Sequence, residues 1–385
     1  MSTGFINAEL QKLKDAGLYR SLRRVEGDQD ATLMLDGREV INFSSNNYLG
    51  IANHPALAEA AKAAIDCYGC GSGASRLISG NMTLHEELEA KLAKFKGCEA
   101  ALVFNSGFQA NSGILATLVG DGDVIFSDAL NHASIIDGCR LSRAQTRVYP
   151  HCDLDSLETQ LKKAASGARK LIVTESIFSM DGDESPLVGI VELAEKYGAM
   201  VMVDEAHGTG IFGPNGAGVV AKLGLTERVA IQMGTLGKAL GGFGAYVAGS
   251  SALRELLINR CRSFIFTTSL PPAVMAMAIA AIDLVVDEPQ RRESLRTNCQ
   301  MLKSGLIGLG FELTPSESAI LPLIVGDATR CMEISGQLLE FGVFAQGIRP
   351  PTVPPGTSRL RITLMATHSE QQIERALAAF KRVQS

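Results

Sequence analysis

From about residue 55 the chain alternates helical segments with short runs of Val, Ile, Leu and Ala, and this alternation limits the possible folds more than any other feature. Apolar runs of about five residues, each separated by a helix, are buried on both faces and predict parallel strands in an α/β architecture. The runs are AALVF (100–104), DVIFS (123–127), KLIVTES (170–176), AMVMVDEA (199–206) and RVAIQM (228–233). Helices are expected after His54-Pro55, through LAEAAKAAID, and from Thr83, where Glu86 suggests a capping box, to Gly97. In an open parallel sheet, ligands bind beyond the carboxyl ends of the strands. The residues directly after each run are therefore the candidates for chemistry.

Past residue 286 the pattern changes to helices near 292–308 and 329–341, strands at ILPLIV and RLRITL, and a terminal helix capped by Ser369 with Gln372. With 385 residues, 46% of them hydrophobic, the chain is too long for one small core. The expected division is an N-terminal segment (1–45), a large, mostly parallel α/β domain (46–285) and a smaller C-terminal α/β domain (286–385). The N-terminal segment is expected to pack on the small domain or on a partner subunit. A net charge of −5, interspersed charges and no Trp argue against nucleic acid.

Residues 1–24 mix Glu9 and Asp15 with basic residues and lack an apolar core, so a cytoplasmic protein is expected. The longest apolar stretch, Ala273 to Ile282, is far short of the roughly 20 residues of a membrane span and reads as a buried helix begun by Pro271-Pro272. Cys67-x-x-Cys70 has no second pair or His partner at zinc spacing, so no metal site is expected and the eight cysteines read as reduced, mostly buried thiols.

Two of the runs lead into reactive segments. AMVMVDEA ends in Asp204, with His207 three residues on; a buried carboxylate needs a cation, and the pyridinium nitrogen of pyridoxal 5′-phosphate (PLP) supplies one. An Asp capping a turn is the plainer alternative. After RVAIQM comes Gly234-Thr-Leu-Gly-Lys-Ala-Leu-Gly-Gly, where Lys238 among small residues has room for a bulky adduct and, if buried, a lowered pKa. A P-loop would need Gly at position 232 and a hydroxyl at 239, where the chain has Gln232 and Ala239. The segment Phe104-Asn-Ser-Gly-Phe-Gln-Ala-Asn reads as strand, turn and helix start, so the N–H groups of Gly107, Phe108 and Gln109 are candidates for binding a phosphate. Thr235 and Ser179 follow strands and could add hydroxyl contacts. His132 could lie over a cofactor ring, although a lone histidine after a strand is more often a hydrogen-bonded turn residue.

These segments, with Asn42-Phe-Ser-Ser-Asn-Asn-Tyr-Leu-Gly, Gly71-Ser-Gly-Ala-Ser-Arg-Leu-Ile-Ser-Gly and Phe178-Ser-Met-Asp-Gly-Asp, resemble those of the α-oxoamine synthases, a family of fold-type I PLP enzymes, across essentially the whole chain. The resemblance implies that Lys238 carries PLP as a Schiff base, His132 stacks on its ring, Asp204 pairs with its nitrogen and His207 contacts its phenolic oxygen. It further implies that Asn46 and Arg361 hold an amino acid carboxylate, that Arg20 and Thr352 contact an acyl substrate, and that the protein is a homodimer in which Thr267 or Thr268 could reach the partner's phosphate. The segment Ile348-Arg-Pro-Pro-Thr-Val-Pro-Pro-Gly-Thr-Ser-Arg-Leu-Arg-Ile-Thr-Leu points within the family to decarboxylative condensation of L-alanine with a pimeloyl thioester, carried by coenzyme A or acyl carrier protein, on the route to biotin. A sister activity using glycine and acetyl-CoA, a catalytically silent subunit of the same fold and a nucleotide-binding protein remain as alternatives.

Overall fold

The apolar runs become the centre of a seven-stranded sheet. The computed structural model describes residues 4–384; residues 1–3 of the expected N-terminal segment, and residue 385, lie outside the described residues. The chain begins with α1 (Gly4–Asp15), β1 (Val25–Glu26), β2 (Thr32–Leu35), β3 (Arg38–Asn42), α2 (Pro55–Tyr68) and α3 (Thr83–Lys96). The repeating unit follows as β4 (Ala100–Phe104), α4 (Gly107–Leu118), β5 (Val124–Asp128), α5 (Ala133–Ser142), β6 (Gln145–Tyr149), α6 (Leu154–Lys162), β7 (Lys170–Glu175), α7 (Leu187–Tyr197) and β8 (Met200–Asp204). It closes with α8 (Val219–Lys222), β9 (Ile231–Thr235) and β10 (Ala245–Gly249), and α9 (Ser251–Arg260), α10 (Arg262–Ile265) and α11 (Pro272–Asp287) lead away. The last part contains α12 (Gln290–Gly308), β11 (Ile320–Gly326), α13 (Ala328–Glu340), β12 (Val343–Phe344), β13 (Gln346–Ile348), β14 (Ser358–Thr363) and α14 (Glu370–Gln384).

The large sheet has the order β4-β10-β9-β8-β7-β5-β6. β6, β5, β7, β8 and β9 pair in parallel, while β10 runs antiparallel to both β9 and β4. Successive side chains of a strand point to opposite faces. Ala101 and Val103 of β4 thus enter one core with Phe126, Ile172, Ile190 and Val203, whereas Leu102 and Phe104 enter the other with Ile114, Leu115 and Ile135. Helices on both faces make three layers, as continuous apolar strands require.

β11, β14 and β13 form a second, antiparallel sheet. The N-terminal strands extend the C-terminal part: β3 pairs in parallel with β12, completing a sheet of order β1-β2-β3-β12. α1, for which the sequence held no expectation, buries none of its residues.

Local signals act largely as expected. His54 caps α2, its Nδ1 accepting from the Ala56 N–H at 3.2 Å, and Ser369 and Gln372 cap α14 reciprocally. Four expectations need correction. At α3 the reach-back comes from His85, whose Nδ1 accepts the Met82 N–H, while Glu86 accepts from Asn81. Residues 228–230 are not strand, because the Arg228 and Val229 N–H groups close a turn onto Leu225 and the strand extends to Thr235 instead. β6 and β10 escaped the apolar-run reading, β6 because most of it faces solvent. The thiols are not mostly buried: Cys139, Cys261 and Cys331 are, but Cys67 and Cys70 are exposed.

Candidate active site

The carboxyl ends of β4, β5, β7, β8 and β9 lie along one edge of the sheet and deliver Gly107, His132, Ser179, Asp204 with His207, and Lys238 to one place. Asp204 closes β8 and is buried, accepting the Ala206 N–H at 2.8 Å and the Asn111 side-chain amide at 2.8 Å. No lysine or arginine lies within ion-pairing distance of it among the described residues. The same Asn111 amide reaches Ser134 Oγ at 2.9 Å, and Ser134 Oγ meets His132 Nδ1 at 2.8 Å. His132 is therefore both the cap of α5 and one end of a chain leading to Asp204.

Lys238 follows β9 on a turn that requires glycine. Gly241 has φ +62°, and a Cβ there would lie 2.7 Å from the Ala52 N. The Lys238 Nζ meets His207 Nε2 at 2.8 Å, and His207 Nδ1 meets the Tyr48 hydroxyl at 2.7 Å. Tyr48 also bonds Asn46 Oδ1 at 3.1 Å and accepts from Arg361 at 3.4 Å. Arg361 enters from β14, anchored by its Nε on the Ser179 carbonyl at 2.7 Å, with its Nη2 3.3 Å from Asn46 Oδ1. One hydrogen-bonded chain therefore joins Lys238, His207, Tyr48, Asn46 and Arg361.

Burial pushes the Lys238 amine down to about 8, against the opposing pull of Asp204 and Glu175. Burial, then the positive charges of Lys238 and Arg361, holds His207 well below the usual imidazole range, so it is neutral. Glu175 ends β7 opposite Asp204; burial and then the Asp204 charge raise its carboxyl well above the usual range. The site floor thus has two adjacent carboxyls, one of them held neutral.

At α4, Ser106 Oγ accepts the Gln109 N–H at 3.2 Å, which withdraws Gln109 from the expected phosphate cradle. The N–H groups of Gly107 and Phe108 have no protein acceptor among the described residues, as helix first-turn donors commonly do. Thr235 donates its hydroxyl to the Gly244 carbonyl at 3.0 Å and accepts from the Gly237 N–H at 3.2 Å, so here it braces the Lys238 turn. Arg20 and Thr352, 332 positions apart, meet at 3.2 Å. Beside Thr352 a cleft of about 450 Å3 runs between Leu130, Ile136, Met180 and residues 350–355.

Tyr48, Asn111, Ser134 and Glu175 complete the site and were not singled out from the sequence. Glu175 carried a readable signal, since it ends an apolar strand just as Asp204 does. Asn111 carried a weaker one, an amide within an otherwise apolar helix. Asp128, His151 and Cys152 also cluster, and their residue types could ligate a metal. Both His151 nitrogens, however, face carboxylates, Asp128 at 2.9 Å and Asp183 at 2.7 Å. Together these overcome burial and raise the imidazole to about 12, so His151 acts here as the cation of a carboxylate pair.

The family model for class I and II aminotransferases matches residues 38–380. The chain belongs to that family. Within it the chain sits among the α-oxoamine synthases, as its motifs implied, and its fold is the fold-type I arrangement. The 8-amino-7-oxononanoate synthase of Geobacter sulfurreducens is 56% identical, over 99% of this chain and 98% of the relative. A solved serine palmitoyltransferase from S. paucimobilis, with bound PLP and myriocin, has a TM-score of 0.93 and 36% identity, covering 99% of this chain and 96% of that one. An 8-amino-7-oxononanoate synthase from Francisella tularensis has a TM-score of 0.76 and 30% identity, covering 89% of this chain and 97% of that one.

Proposed function

We propose that the chain is a PLP-dependent C-acyltransferase that condenses L-alanine with a pimeloyl thioester, on coenzyme A or acyl carrier protein, giving 8-amino-7-oxononanoate, CO2 and free thiol in biotin biosynthesis. The observation that carries this reading is the unbroken chain from Lys238 through His207 and Tyr48 to Asn46 and Arg361. It links an amine of lowered pKa to a buried guanidinium, which supports binding of an amino acid carboxylate between them. The relative named 8-amino-7-oxononanoate synthase supports this product, and the resemblance of residues 348–364 supports the substrates.

The residues present fit PLP. Among the described residues Asp204 is a buried carboxylate with no ion-pair partner and the Gly107 and Phe108 N–H groups at a helix start have no protein acceptor, and Lys238 is the amine a carbonyl would take up. When bound, PLP supplies an electron sink for the pair left on the amino acid Cα. Asp204, oriented by Asn111 and the Ala206 N–H, would balance the charge of the cofactor nitrogen, and His132 would contact its ring. Ser179 borders the site and fixes Arg361 through its carbonyl.

Asn46 and Arg361 bind the alanine carboxylate, the guanidinium through paired hydrogen bonds. Lys238 would remove the Cα proton as general base, with His207, neutral and bonded to Tyr48, keeping the amine oriented. Arg20 and Thr352 hold the acyl donor, and the cleft lined by Ile136, Met180 and residues 350–355 accepts its apolar chain. After the new C–C bond forms and the thiol leaves, the β-keto acid loses CO2 and the Cα regains a proton.

The active unit in this proposal is a cytoplasmic homodimer, built on the division into residues 1–45, 46–285 and 286–385. Exposed Phe108 at the start of α4 and Phe243 and Phe266 on loops, with Leu77 and Ile78, support a partner subunit. Thr267 or Thr268 is the residue proposed to reach the partner's phosphate; the Thr268 carbonyl accepts from Asn105 at 2.8 Å. No helix among the described residues is long and apolar enough to cross a membrane.

The test is spectroscopic. The purified protein with PLP should show a visible band that borohydride removes, a change in that band with L-alanine, and CO2 release only once pimeloyl-CoA is added. No band after PLP is supplied would overturn the cofactor assignment. Turnover of glycine or L-serine with another acyl-CoA, and none of L-alanine, would move the protein to a sister activity. Lys238→Ala should fold, bind PLP without a borohydride-sensitive link and lose turnover.

A further inference from the structure

Away from the candidate active site, a cavity of about 530 Å3 opens between α12, the loop Ile211 to Gly213 after β8, the end of α8 and the segment 316–321. That volume suits a small organic molecule. Ile211, Phe212, Leu295 and Leu321 give it apolar walls, and Lys222, Arg292, Arg296 and Lys303 bring four cations against one carboxylate, Glu317.

The cations differ in what already satisfies them. Lys222 pairs with Glu184 at 2.7 Å, and Lys303 bonds the Ser316 carbonyl at 2.9 Å and Glu317 at 3.4 Å. Arg292 donates to the Val285 carbonyl and has no carboxylate in ion-pairing range, and Arg296 has no hydrogen-bond or ion-pair partner among the described residues. The two lie four positions apart on one face of α12, where like charges repel. Burial, then Arg296, lowers the Arg292 guanidinium from its ordinary value, while Glu293, its neighbour along the chain, opposes this. Two guanidinium groups lining an apolar-walled cavity are left with uncommitted donors.

We propose that this cavity binds a small organic oxyanion, a carboxylate or phosphate carried on an apolar body, with the anionic group between Arg292 and Arg296 and the body against Phe212, Leu295 and Leu321. Guanidinium forks match both oxyanions in geometry and charge, and the apolar walls favour an amphipathic ligand over an inorganic ion.

Arg296 is exposed and bonds nothing in the fold, so Arg296→Gln should leave melting temperature and turnover unchanged. Octanoate and octyl phosphate would be titrated calorimetrically into the PLP-loaded protein at constant ionic strength, with inorganic phosphate as the reference without an apolar body. The expected result is saturable binding of at least one amphipathic probe, tighter than inorganic phosphate. Arg296→Gln should weaken it by about tenfold or more, Arg296→Lys should weaken it less, and Arg20→Gln should leave it unchanged. Absence of saturable binding, indifference to Arg296→Gln, or loss in Arg20→Gln, which would place the probe at the acyl-donor residues, would each overturn the proposal.

Discussion

At Lys238 two effects oppose one another: burial disfavours the ammonium, and the carboxylates around Asp204 favour it. Burial wins, and the amine titrates near 8. Capture of PLP by protein stripped of it should therefore accelerate with pH to a plateau with a midpoint near 8. Asp204→Asn removes the largest influence raising that value, so its midpoint should fall below that of the parent, which stopped-flow absorbance across pH would show. The sign for stability follows from the same shift. The folded state releases its Lys238 proton earlier than the unfolded chain, so this group's contribution to stability grows as pH rises from about 8 towards 10.5. At Arg361 the fork matters as well as the charge. Arg361→Lys keeps the charge but loses paired bonding, and steady-state kinetics should show the KM for L-alanine raised by roughly tenfold to a hundredfold, from about 1.5–3 kcal/mol of charged hydrogen bonding.

Among elements, the loop after β8 shows how the fold supports the chemistry. Glu205, the residue next to Asp204, is fully buried and pairs with Lys96 at the end of α3. It also accepts the Val220 N–H at 2.9 Å, while Lys96 bonds the Ala217 carbonyl. Burial is the largest single influence and opposes the Lys96 ammonium, but the charge and hydrogen bond of Glu205 together with Tyr246 and Cys98 outweigh it and raise the lysine. Lys96→Met strands a buried carboxylate and should cost about 3–5 kcal/mol, whereas Lys96→Met combined with Glu205→Gln should lose less than that single change. Urea unfolding of the three proteins checks the ordering. Strand patterning explains what was readable here. β5, β7 and β8 are apolar because both faces are covered, and so announce themselves, whereas β6 is a largely solvent-facing edge and β10 lies within glycine-rich sequence. The boundary of β9 was misplaced because the apolar residues of 228–230 pack in a turn, where hydrophobicity cannot report backbone direction.

For the whole molecule, two copies of the 40.9 kDa chain should travel together in multi-angle light scattering, since the exposed Phe243 and Phe266 border the site and α1 buries nothing within its own chain. A monomer that turned over at full rate would contradict the proposed shared site. Local chemistry in the sequence determined a good deal by itself: apolar runs predicted the parallel strands, the carboxyl ends of those strands located Asp204, His207 and Lys238, and small residues around Lys238 marked a place for an adduct. These are properties of short segments, set by side-chain periodicity and backbone freedom. Tertiary structure alone decided which distant polar groups share protons and charge. Arg361 meets Tyr48 across 313 positions, Arg20 meets Thr352 across 332, and Asn111 on α4 reaches Asp204 on β8. Such pairings follow from strand order and register, and they set the field in which Lys238 loses its proton; no segment read alone contains that information, because burial and Coulomb interactions depend on distance in space rather than along the chain.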